Sequence, residues 1–115
     1  MTEFEKGYIV GLIVGEGCFS GDGRIPEFCM KLHADDPKPL LFMQEKLGGK
    51  VYGIYERNGR RFWDYVLRGH QLRANTRFFF DYLPESKKRQ QFLAWAERWR
   101  LEFWQEDAIP KVKQT

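Results

Sequence analysis

The sequence predicts an α+β domain in the order α-β-β-α-β-β-α-α, and three observations carry that reading. An apolar run from Tyr8 to Val14, with Gly11 and Gly15 four residues apart, has the spacing of one helical face. Two blocks of strand chemistry follow, one introduced by the turn signal Gly21-Asp22-Gly23 and one folded about Asn58-Gly59. The last third of the chain holds two helical patterns divided by Pro84.

Each element has its own local cause. Thr2 and Glu5 have the spacing of a capping box, so the first helix is expected to start near residue 3 and run to Gly15. The Gly15/Gly17 pair then breaks it and leaves Glu16 at the negative end of the helix. A strand begins at Cys18 to Ser20, and a second spans Ile25 to Ala34, where Phe28, Met30, Leu32 and Ala34 alternate with Glu27, Cys29, Lys31 and His33. Asp36-Pro37 reads as an N-cap followed by proline at the first helical position, and Gly48-Gly49 ends that helix.

The second hairpin pairs Val51 to Glu56 with Arg61 to Arg68 across the tight turn Arg57-Asn58-Gly59-Arg60. If Trp63, Tyr65 and Leu67 face the core, Phe62, Asp64, Val66 and Arg68 face outward. A third helix is expected over Gln71 to Leu83, and a fourth over Ser86 to about Gln105, with Phe92, Trp95, Ala96, Trp99 and Phe103 on one face.

A chain of 115 residues holds one such domain, expected over 1–107, with a flexible tail over 108–115. Its apolar runs are too short to span a membrane and no signal-peptide pattern is present, so a soluble, intracellular protein with no membrane partner is expected. Cys18 and Cys29 are too few for a cysteine-rich zinc site. A net charge of +3 is too small to indicate nucleic acid, so the distribution matters more: Arg57, Arg60, Arg61 and Arg68 flank one hairpin, and Lys87, Lys88 and Arg89 form a second cluster.

Glu16 carries the chemistry. A carboxylate at a helix C-terminus is disfavoured by roughly 0.3 to 1 kcal/mol unless a positive group joins it, and a hard divalent cation fits that need. The segment Tyr-Ile-Val-Gly-Leu-Ile-Val-Gly-Glu-Gly-Cys-Phe, residues 8 to 19, resembles the LAGLIDADG motif of homing endonucleases, with Val14 where that family usually has a polar residue. The element order is similar to the family's half-domain over nearly its full length.

The resemblance implies a four-stranded antiparallel saddle sheet, covered on one face by helices and laid on double-stranded DNA by the other. It implies Mg²⁺ or Mn²⁺ as cofactor, Ca²⁺ binding without supporting cleavage, and no small-molecule cofactor. Glu16 and the Gly15 carbonyl then become the metal ligands, and Asp36, Lys87 and Lys88 join Glu16 as catalytic candidates, with no choice made between the two lysines. The DNA contacts it implies are Ser20, Asp22, Arg24, Glu27, Cys29, Lys31, His33, Arg57, Arg60, Arg61, Asp64, Val66 and Arg68. With one motif in the chain, the partner helix must come from a second copy packed through Tyr8, Gly11, Leu12 and Gly15.

The activity this implies is site-specific, metal-dependent hydrolysis of both DNA strands across the minor groove, leaving 3′ overhangs on a pseudo-palindromic site. Two rival readings stand beside it. One is a member of the same family that binds nucleic acid without cutting it, as an intron maturase or transcriptional regulator; retention of Glu16 argues against the regulator. The other is a small dimeric interaction domain, which leaves the polar strand face and the arginine hairpin unexplained.

Overall fold

A computed structural model describes residues 1–21, 24–33 and 35–101. Its elements are α1 (Glu3–Glu16), β1 (Gly17–Gly21), β2 (Pro26–His33), α2 (Lys38–Leu47), β3 (Lys50–Arg57), β4 (Arg60–Arg68), α3 (Gly69–Tyr82) and α4 (Lys87–Arg98), in the expected order. The strands form one antiparallel sheet in the order β1-β2-β4-β3.

The helices lie on one face of that sheet, and the core fills the space between. Phe28, Met30, Tyr65 and Leu67 point into it from β2 and β4, as period-2 alternation requires. They meet Ile9 and Ile13 of α1, Leu40, Met43 and Leu47 of α2, Leu72 and Phe79 of α3, and Phe92, Trp95 and Ala96 of α4. Phe19 of β1 is the hinge of this packing, with its ring 5.0 to 5.4 Å from those of Phe28, Phe79, Phe92 and Trp95. That cluster fixes where α4 sits on β1, and so where its first turn points.

Several local signals translate directly. Thr2 and Glu5 close the capping box. The Asp-Pro start of α2 is shifted by one residue from expectation: Pro37, not Asp36, is the N-cap, its carbonyl accepting from the Leu41 amide, and Asp36 stands just before it with Oδ1 accepting from the Lys38 amide at 3.0 Å. Asn58 and Gly59 adopt φ of 54° and 78°, the left-handed pair of a two-residue hairpin loop.

The end of α4 departs from expectation. Arg100 has φ 51°, its amide donates to the Glu97 carbonyl, and the Leu101 amide donates to the Ala96 carbonyl. This is a Schellman turn, and it buries Leu101. Arginine rather than glycine holds the left-handed position, so nothing in the residue types announces the stop. The helix therefore ends at Arg98, not near Gln105. Phe103, the domain limit at 107 and the tail over 108–115 lie outside the described residues.

Candidate functional site

The junction of α1 and β1 is tightly constrained. Glu16 is the last residue of α1, whose final turn carries no basic side chain. Gly17 caps it, donating its amide to the Ile13 carbonyl. A Cβ on Gly17 would stand 2.7 Å from that carbonyl oxygen and 2.8 Å from the Phe28 ring, so only glycine lets the chain turn here from helix into strand. The exposed Glu16 is thereby fixed at the edge of the sheet.

Ser86, Lys87, Lys88 and Arg89 enter α4 together and then part company. The Ser86 hydroxyl caps α4 by accepting from the Arg89 amide. Arg89 turns back to α3, donating to the carbonyls of Phe80 and Leu83 at 2.9 and 2.8 Å. Lys87 is exposed. Lys88 Nζ donates to the Gly17 carbonyl, which places its ammonium one residue from Glu16, at the carbonyl-rich end of α1. The geometry thus separates two adjacent lysines that the sequence could not.

Asp36 is not brought to this centre. It lines a cavity of about 440 Å³ with Phe4, Glu5, Tyr8, Lys38, Pro39 and Phe42. Those α1 residues lie eight to twelve positions before Glu16, about 12 to 18 Å along the helix axis. Its side chain is engaged in the turn that leads into α2, accepting from the Lys38 amide, and the catalytic reading is left without geometric support.

On the face away from the helices, the strand register aligns side chains in rows. Ser20, Glu27 and Arg68 make one; Cys18, Cys29, Val66 and Lys50 the next; then Lys31, Asp64 and Tyr52; then His33, Phe62 and Tyr55; and at the hairpin tip Arg57 and Arg60. Nearly all the expected contact residues of β2 and β4 therefore share one face. Arg61 falls on the opposite parity, across from Glu56, although it still lines a cavity of about 280 Å³ with Lys31, His33, Arg60 and Phe62. Val66 has the right parity but is buried, so it offers little surface to a ligand. Asp22 lies outside the described residues.

The register also adds residues that sequence reasoning missed. Lys50, Tyr52 and Tyr55 of β3 join the outer face, and the Tyr55 ring lies 5.6 Å from that of Phe62. Tyr52 and Tyr55 are an odd number of residues apart and should face opposite ways. A register shift between them restores the match, across a segment that includes Gly53, which has φ 149° and the Trp63 ring where a Cβ would stand. The one available signal was that glycine inside a strand pattern.

Charges on this face are partly paired among themselves. Arg68 meets Glu27 at 3.3 Å. Asp64 has its pKa raised by burial, against a smaller lowering by Lys31, and its Oδ1 is buried without a partner. Burial likewise pushes the Cys29 thiol up to about 11, with help from Cys18. The face thus offers cations, carboxylates and aromatic rings in fixed rows.

The remaining surface of interest is α1 itself. Gly7, Gly11 and Gly15 repeat every four residues, and a Cβ on any of them would meet nothing within 4 Å. Phe4 and Tyr8 beside them are exposed, Phe4 by 82%, while Leu12 is half-buried. The first helix therefore leaves a bare, apolar stripe uncovered that leads to Glu16.

This fold is that of a LAGLIDADG half-domain. The sequence matches no known family profile and no curated protein, but solved structures match it well. The homing endonuclease I-TnaI is 23% identical with a TM-score of 0.68 over 88% of this chain and 75% of that one. The archaeal intron-encoded homing endonuclease I-Vdi141I, solved in complex with DNA, is 26% identical with a TM-score of 0.65 over 83% of this chain and 66% of that one. The LAGLIDADG meganuclease I-CpaMI, solved bound to uncleaved DNA, is 18% identical with a TM-score of 0.70, and this chain spans 39% of its length. The motif at residues 8 to 19 stands on α1 of this fold, so the sequence resemblance to the LAGLIDADG homing endonucleases and the structural likeness to them fall on the same element.

Proposed function

We propose that the chain is a site-specific, divalent-metal-dependent DNA endonuclease that acts as a homodimer on a pseudo-palindromic site. The observation that carries this reading is the convergence at one point of Glu16, the end of a bare glycine stripe, and the Lys88 ammonium, beside a sheet face of ordered polar rows. Solved relatives in complex with DNA support the choice of ligand.

The donor set fits a hard cation. Glu16 and the carbonyl of Gly15 are oxygen donors at a negative helix end with no basic residue in its last turn, and they would hold Mg²⁺ or Mn²⁺. When bound, the cation supplies Lewis acidity at the scissile phosphate.

The chain's own residues do the rest. The outer face orients the DNA: Lys31, Lys50, Arg57, Arg60 and Arg68 supply donors for guanine or phosphate, and Glu27 and Asp64 supply acceptors for cytosine. Lys88, held against the Gly17 carbonyl, stabilises the negative charge that grows on the phosphate. The glycine stripe lets a second α1 approach until the two Glu16 carboxylates stand near the two-fold axis.

Cleavage mapping on both strands tests this reading. Carboxylates paired on a two-fold face the minor groove between two major-groove contacts, and phosphates nearest across that groove are offset toward their 3′ sides. Selection from a random pool supplies the site, and end-labelled products should carry short 3′ overhangs at its centre. Binding without metal-dependent cutting would favour the non-cleaving reading, and blunt or 5′-extended ends would overturn the paired-Glu16 geometry.

A further inference from the structure

We propose that Cys18 and Cys29 form a redox modification site on the outer face of the sheet, closing to a cross-strand disulfide on contact with an oxidised low-molecular-weight thiol. The two residues are direct partners in the β1–β2 register. Directly opposed residues in an antiparallel pair point to the same side, with Cα atoms about 4.5 to 5.5 Å apart, inside the range of roughly 4.4 to 6.8 Å that a disulfide spans. No strand needs to move. Both thiols are free, Cys18 is exposed, and Cys29 is partly buried beside it. They are the chain's only cysteines, so no third thiol competes within it.

The environments assign the order of events. Cys18 is the thiol that an oxidant reaches. Its thiolate attacks one sulfur of a disulfide RSSR, forming a mixed disulfide on Cys18 and releasing one RSH. Cys29 then gives up its proton and attacks Cys18 Sγ, closing the Cys18–Cys29 bond and releasing the second RSH. The protein loses two hydrogens and two electrons, and RSSR gains them as two thiols. Burial keeps the Cys29 thiol largely protonated, so it is the resolving thiol rather than the one that meets the oxidant first.

The consequence for DNA rests on the function proposed above. The pair lies in the row that continues to Val66 and Lys50, and Cys18 is two residues from Glu16. DNA on this face covers Cys18, so occupancy and oxidation exclude each other.

The reduced full chain, treated with oxidised glutathione, should lose both titratable thiols, and peptide mapping should show Cys18 joined to Cys29 within one chain. Dithiothreitol should restore both. C29S should stop at a mixed disulfide on Cys18, and C18S should react roughly tenfold more slowly because the accessible thiol is gone. Persistence of both thiols, stable glutathione adducts on both residues of the unmodified chain, or links only between chains would overturn the proposal. DNA of the selected sequence should slow closure severalfold. Closure at an unchanged rate with DNA bound would leave the pair intact and count instead against this face as the DNA surface.

Discussion

Replacing Gly11 with leucine should strengthen the isolated chain and dissociate its dimer, two effects of opposite sign from one substitution. Gly11 lies in the middle of α1, and a Cβ built there meets nothing within 4 Å. Within one chain the change costs no contact. It removes a poor helix former, and since leucine ranks close to alanine the folded chain should gain about 0.5 to 1 kcal/mol. Across a two-fold the same side chain enters twice, once from each helix, where the bare stripe lets backbones approach. Overpacking costs about 1 to 3 kcal/mol per site, hence about 2 to 6 kcal/mol per dimer, which raises the dissociation constant roughly 30-fold to more than 10⁴-fold. Sedimentation equilibrium gives the association constant, and denaturant melts of dilute protein give the chain's own stability. Gly17→Ala is the contrast: its Cβ would collide with the Ile13 carbonyl and the Phe28 ring, so it should destabilise the chain itself. An unmodified protein that stays monomeric at tens of micromolar, or a Gly11→Leu variant that dimerises as before, would refute the assignment of α1 as the interface.

Three further outcomes follow from the site. Glu16→Gln keeps size but removes the anionic ligand, so DNA binding should persist while metal-dependent cleavage is lost; undiminished cutting would remove Glu16 from the reaction. Lys88→Met should slow single-turnover cleavage by about 10² to 10³-fold, as loss of one fixed electrostatic donor does, whereas Lys87→Met should leave it nearly unchanged; equal effects would mean that the Gly17 contact does not select between them. Asp64→Asn tests the raised pKa. The folded state holds the proton of Asp64 more tightly than the unfolded chain does, so its contribution to stability is full below the unfolded value near 3.9 and falls as pH rises through the higher folded value. The variant lacks that loss, so it should match the parent at pH 3 and exceed it at pH 7 by no more than about 1 kcal/mol after solvent screening. A difference independent of pH in paired melts would discard the titration argument.

What the sequence made legible was whatever depends on near neighbours. The Thr2 and Glu5 cap, the Asn58-Gly59 turn, the break after Glu16 and the alternation in β2 and β4 are all set within a few residues, and all form. What stayed hidden depends on partners far along the chain. Lys88 differs from Lys87 only because α4 docks through Phe92 and Trp95 on Phe19, which aims one lysine and not the other at Gly17. Arg89 belonged by charge to a basic cluster, yet the carbonyls at the end of α3 claim it. The face of β3 was unreadable because a register shift between Tyr52 and Tyr55 breaks the alternation. Asp36 shows the limit of analogy: its position near the end of β2 suggested the reaction centre, while its neighbours place it at the far end of α1.

Assembly and catalysis then have a single cause. A helix end carrying a carboxylate, with no basic residue in its own last turn and only the Lys88 ammonium beside it, is unfavourable in isolation, and the glycine stripe that leads to it is unfavourable too, since bare glycines weaken a helix and expose an apolar face. Each weakness is relieved by what the other provides. Close packing of two stripes covers the apolar face, and it brings two carboxylates near enough that their repulsion calls for a cation between them and the DNA backbone. On this reading a lone chain holds neither a complete interface nor a complete metal site, so both form in one step. Metal affinity must then rise with protein concentration, and dimer stability must rise with metal, by the same coupling free energy.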